Sequence, residues 1–186
     1  AWIASGTGDF ISGTSQVTFD GTSNTHLIIA SGSFFNLSFA APGATYNASG
    51  TIDVNRDFNL NDGTLVAPSL ITVSGTWLKA AGTTFTHNNG AVVLDGGDQT
   101  ISGSTVFNTL QKVVSNSQTL TLHSTSEQSI SGSLVLSGNS SVDELNIRST
   151  NTSVSSLFNV DTTASTALTS LNVQRSDASP VPYPHL

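Results

Sequence analysis

The stretch TWLKAAGTTFTHNNGAVVLDG, residues 76–96, says again what the chain says at its start, AWIASGTGDFISGTSQVTFDG, residues 1–21. Laid side by side, Trp77 falls on Trp2, Ala81 on Gly6, Phe85 on Phe10, Asp95 on Asp20 and Gly96 on Gly21, all at an offset of 75. The chain holds only two tryptophans, and both stand at the head of this block. Phe35-Asn36 then matches Phe107-Asn108 at an offset of 72, and Val54, Phe58 and Leu60 match Ile130, Leu134 and Leu136 at an offset of 76. Turn lengths change while apolar positions keep step, as expected when loops absorb insertions and a core does not. A long internal period is the mark of stacked units, none of which can bury its apolar face alone. The units expected are residues 1–75, 76–144, a closing β module at 145–179, and a proline-rich tail or linker at 180–186.

Within each unit the local period is two. Val17 and Phe19, Ile52 and Val54, Phe58 and Leu60, Leu120 and Leu122, and Leu134 and Leu136 each share one side of a short run bounded by Gly, Asn, Asp or Ser. Such runs are half-buried strands, and no segment carries a helical period with caps. The chain is therefore expected to be all-β. A β-sandwich of antiparallel hairpins is one architecture, since DGT, DGG and NNG offer tight turns. A parallel β-helix (β-solenoid) better suits the long imperfect repeat and irregular turns. Coils of about 20–25 residues would give roughly seven or eight coils in a rod on the order of 35 Å long.

Composition narrows the partners. Charged residues are 9% of the 186, against about a quarter in ordinary soluble domains. Five Lys and Arg against twelve Asp and Glu give a formal charge of −7, which cannot build the basic face that nucleic acid requires. Electrostatic attachment to anionic lipid is disfavoured likewise, and no apolar run is long enough to span a bilayer. With no cysteine there is neither a disulfide frame nor a thiolate metal site. The absence of methionine reads as a processed chain or a piece of a longer one.

The order of motifs resembles the long strand-rich repeats of giant bacterial secreted and surface proteins. Those units run through a Trp, a Gly-Thr-Phe, a VTFDG, a QTI.GS..F.NL and an L.V.G.L, and AVVLDGGDQTISGSTVFNTL (residues 91–110) is the nearest stretch here. Leu145-Asn146-Ile147-Arg148-Ser149, Leu157-Phe158, Val173 and Ser176-Asp177-Ala178-Ser179 are similar to a module that often closes such arrays. The resemblance implies a parallel β-helix, export to the cell exterior or surface, and a stalk, fibre or adhesin role. It carries no catalytic residues across.

The residues themselves point the same way. His26, His87, His123 and His185 show no metal-binding spacing, and the five cations are far apart in sequence. Asp57, Asn59, Asn61 and Asp62 form an oxygen-rich run, but it lacks the glycine and later glutamate of a calcium loop and recurs nowhere in the repeat. Neither metal nor other cofactor is expected, and the protein is read as a non-enzyme. A spontaneous crosslink would need Lys79 or Lys112 buried beside an acid, for which the local sequence gives no support. Trp2, Trp77, Phe10, Phe85, Phe19, Phe35, Phe107, Phe58 and Leu134 are the expected core, forming recurring contacts at the repeat distance. The expected role is a structural segment of an extracellular fibre, stalk or adhesin, stacking end-on with itself or with flanking repeats. One alternative is a carbohydrate-binding or polysaccharide-cleaving module, with cell-surface glycans as partners and Tyr46 and Tyr183 as sugar platforms. A lesser one is an ice-binding solenoid, although no Thr-x-Thr is seen to recur at a constant coil spacing.

Overall fold

The computed structural model of the protein describes the backbone at residues 2–3, 10–21, 25–30, 32–151 and 153–178, and the side chains at 10–21, 32–151 and 153–175. Alternation sets the local structure. In Leu70–Val73 and Ala91–Leu94 every second side chain is buried, as a pleated strand requires. These strands are too short to bury a face by pairing within one turn. They stack instead on their equivalents in neighbouring turns, and every pairing among the described residues is parallel. That rules out the antiparallel sandwich, and the protein is a parallel β-solenoid.

Each turn visits three faces in fixed order. The third face is an eight-stranded sheet running from Gln16–Phe19 through Asn36–Phe39, Phe58–Leu60, Trp77–Lys79, Gln99–Ser102, Gln118–Leu122 and Leu145–Ser149 to Leu171–Val173. The first and second faces belong to one larger sheet, because the long strands Thr45–Val54, Thr105–Val113 and Glu127–Ser137 bend across the corner between them. Thr64–Val66, Thr84–Thr86 and Ser156–Val160 lie on the first face. Leu70–Val73, Ala91–Leu94 and Ser165–Thr169 lie on the second. Pairing runs without interruption through the expected unit boundaries, as in Phe58 to Trp77 and Gln118 to Leu145.

Inward side chains form rows along the rod. On the second face one row reads Phe34, Val54, Val73, Leu94, Lys112, Leu136, Leu168. Its six steps mark about six turns, slightly fewer than seven or eight. The steps lengthen late in the chain, to 24 residues from Lys112 to Leu136 and 32 from Leu136 to Leu168, so fewer turns use up the sequence. On the third face Leu37, Phe58, Trp77, Ile101 and Leu122 form another row. There Phe58 and Trp77 stack with centroids 4.3 Å apart and rings 9° from parallel. Trp77 also meets Phe85 edge-on at 5.1 Å, and its buried Nε1–H donates to Thr105 Oγ1 at 3.1 Å.

The repeat found in sequence does not coincide with a whole number of turns. The strand of Trp2 is on the first face and that of Trp77 on the third. Phe10 is on the second face and Phe85 on the first; Phe58 is on the third and Leu134 on the second. Every matched pair is displaced by one face in the same sense, because the unit spans eleven face-strands where four turns would take twelve. Repeat-equivalent residues therefore do not stack on one another. Rows join unlike residues, such as Phe58 with Trp77.

Of the expected core, Trp77, Phe58, Phe107, Leu134 and Phe85 are buried, while Phe10 and Phe19 are half-buried against that core. The side chain of Trp2 lies outside the described residues. Phe35 is a correction: it sits at the corner after Gly32–Phe34, outside the core, with the Arg56 guanidinium 5.9 Å from its ring centre. Phe34 points inward in its place.

Phe85→Asp should destabilise the fold by about 3–5 kcal/mol, through a lost aromatic contact and an unpaired buried carboxylate. Denaturant unfolding followed by circular dichroism measures this, and an unchanged midpoint would remove Phe85 from the core.

Candidate functional site

Outward positions also stack, and this shapes the surface. Parallel pairing holds equivalent residues about 4.8 Å apart, where like charges repel and short polar groups bond. Thr72 donates to Asp53 at 2.6 Å, Asn61 to Ser38 at 3.0 Å, Asn159 to Glu127 at 3.1 Å and Asn172 to Glu144 at 3.0 Å, each across one turn. Arg148 spans two turns of the third face with four bonds, to the backbone of Ile147 and Asn172 and the side chains of Asn146 and Asn172. A row of threonines lies on the first face. Thr25, Thr45, Thr64 and Thr84 are register partners, 20, 19 and 20 residues apart. Thr86 and Val66 stand beside the last two. The constant spacing judged absent from the sequence is thus present, hidden by seeking whole Thr-x-Thr triplets.

Lys112 is the most unusual side chain of the interior. It occupies an inward position between residues of the second face and is 0% exposed. Its ammonium donates to Gly96 O at 2.9 Å, Gly97 O at 2.8 Å and Gln99 Oε1 at 2.6 Å, one acceptor for each proton. Gln99 relays the bonding, taking Gly96 N–H at 3.1 Å and donating to Val73 O at 2.7 Å and Gly75 O at 2.9 Å. Burial pushes the Lys112 pKa down to about 8, opposed by the charges of Asp98 and Asp95. Sequence reasoning missed this burial, although Leu110, Lys112 and Val114 alternate on one side of their run. With all three protons committed to oxygen acceptors, the amine pins the 95–99 turn and has no free lone pair for attack.

The exterior holds one described groove, of about 220 Å3, lined by Val106, Ser129, Ile130, Ser131, Asn159 and Asp161. Glu127 Oε1 accepts both Ser129 Oγ at 3.2 Å and Asn159 Nδ2 at 3.1 Å. Asp161 Oδ1 accepts the backbone N–H and hydroxyl of Thr163, both at 2.8 Å, and these bonds hold its acid below the usual carboxylate range.

Other candidates have structural partners. His87 closes the turn in the opening stretch: its Nδ1 accepts Asn89 N–H at 3.0 Å, while Asn88 and Asn89 take the left-handed backbone that asparagine tolerates. His123 does likewise with Thr125. The side chains of His26 and His185 lie outside the described residues. Asp57 accepts Thr76 N–H at 2.8 Å and Asn61 is bonded to Ser38, so the 57–62 run joins turns. Among the described residues no three His, Asp or Glu gather as a metal site, and no helix is long and apolar enough to cross a membrane. Tyr46 is a correction: far from presenting a sugar platform, it is fully buried on Phe39, accepting Ala41 N–H at 3.0 Å and donating to Phe19 O at 2.9 Å. Tyr183 lies outside the described residues.

No family model matches the sequence, and neither curated proteins nor solved structures give a significant match.

The Lys112 pKa fixes a sign. Between pH 8 and pH 10.5 the unfolded chain holds the extra proton, so raising pH through this window favours the fold. Relative to Lys112→Met, the wild-type protein should gain about 3 kcal/mol of stability across the window. Denaturant titrations at both ends test this, and a pH-independent difference would contradict the buried ammonium.

Proposed function

We propose that this chain is a structural segment of an extracellular fibre, stalk or adhesin, extended by end-on stacking with itself or with flanking repeats. The observation that supports this reading is the state of the two ends of the described stack. Gln16–Phe19 and Leu171–Val173 are the outermost strands of the third face. Phe10, Val17 and Phe19 at one end, and Leu168, Leu171 and Val173 at the other, are only half-buried against the core. A further coil laid on either end would complete their burial and take up backbone groups that otherwise invite pairing. The motif order resembling giant bacterial secreted and surface proteins, and an exterior of uncharged ladders, agree with a rod working outside the cell. Electron microscopy of concentrated protein should show filaments, which Val17→Asp and Leu171→Asp shorten or abolish. A monodisperse monomer by light scattering at every concentration would defeat the reading.

The threonine row supports a second reading, an ice-binding face. A grid of hydroxyl and methyl groups with one fixed repeat can order surface water in a way that scattered side chains cannot. Thermal hysteresis lost in Thr64→Lys would support it; none in the wild-type protein would end it.

A further inference from the structure

The corner that joins the first face to the second grows along the stack. Asn108 alone turns it between the pairs Phe107–Ile130 and Thr109–Ser133, and Ser131 with Gly132 turns it one coil later. Residues 161–164 turn it in the coil after that, between Val160 and Ser165. Gly132 lets the first two nest, since a Cβ there would lie 2.6 Å from Asn108 Nδ2. The unequal corners leave the groove of about 220 Å3 against the exposed outer edge of the sheet.

The lining has two chemistries. Val106, 49% exposed, and Ile130 supply apolar surface. Around them stand hydroxyls and fixed acceptors. The Asn159 amide is anchored through its nitrogen on Glu127, leaving its carbonyl oxygen for an incoming donor. The Asp161 carboxylate is anchored through one oxygen on Thr163, leaving the other. Both groups are thus set before a ligand arrives, which lowers the ordering cost of binding. The lining contains no cation and the chain carries −7, so an anion is disfavoured. A volume below the 300–1,000 Å3 typical of drug-sized ligands suits a single ring.

We infer that this groove is a subsite for one neutral sugar ring of a glycan, its hydroxyls donating to Asp161 and Asn159 and its C–H face lying on Val106 and Ile130. Binding here does not depend on end-on assembly, so a non-assembling protein would bind equally well.

Saturation-transfer NMR on the whole chain with cellotriose, maltotriose and N-acetylchitotriose, and sialyllactose as the anionic control, tests the inference. At least one neutral trisaccharide should receive saturation and sialyllactose should not. Asp161→Ala and Asn159→Ala should each weaken that binding about tenfold or more, in keeping with loss of a charge-assisted or fixed hydrogen bond. Val106→Arg should abolish it, and Val142→Ala, an exposed position on another turn, should leave it unchanged. Circular dichroism melts confirm that each variant is folded. No transfer from any of the three neutral sugars, or transfer that survives both Val106→Arg and Asp161→Ala in folded protein, would overturn the subsite.

Discussion

Parallel pairing in register fixes the neighbours of every side chain in this rod: one about 4.8 Å above, one the same distance below. Inside, the constraint selects flat or branched apolar groups that tolerate a like-sized neighbour, and Phe58 lies on Trp77 nearly ring on ring. Outside, it disfavours columns of like charge and favours short groups that bond from turn to turn, as Asn61 does to Ser38. The low charged fraction of 9% follows from the same geometry. So does the form of the one buried cation: Lys112 cannot bond upward to Leu136, and its ammonium turns to the 95–99 turn for three oxygens.

The strands were legible because their period of two is local. Ile52 and Val54, or Leu134 and Leu136, declare an inward side without any knowledge of partners, and both pairs are buried. Parallel stacking was legible from the long repeat with variable turns. The rotational register was not, because sequence repetition and the turn are independent lengths. A unit of eleven face-strands looks as regular on paper as one of twelve, yet it moves Phe85 one face away from the side of Phe10. Phe34 and Phe35 show a second limit: adjacent aromatics cannot both face in, and the corner that decides between them leaves no local mark. Tyr46 shows a third. A tyrosine beside turn residues looked exposed, but its hydroxyl finds two backbone partners inside.

The polar features of the surface were harder to read because they are assembled across turns. Thr25, Thr45, Thr64 and Thr84 come together only through a step that varies between 19 and 20 residues. Val106, Ser129 and Asn159 share the groove because three successive strands of the first face set them side by side. In a solenoid any chemistry must be built in this way, from single residues contributed by consecutive coils. Local motifs such as Asp57 to Asp62 are used up in joining one turn to the next.

The stacking register is open to one direct measurement, helped by the absence of native cysteine. Thr64 and Thr84 are register partners on the outer side of the first face. Cysteines placed at both should therefore form a disulfide readily, the separation of parallel neighbours falling within the ordinary Cα–Cα range of about 4.4–6.8 Å. A pair at Phe10 and Phe85, which would be neighbours if the 75-residue unit stacked on itself, should not crosslink. Oxidation of the Thr64→Cys/Thr84→Cys protein to an intramolecular disulfide, seen by mass spectrometry, is the predicted result. Crosslinking of the Phe10→Cys/Phe85→Cys pair instead would contradict the register on which the whole account rests.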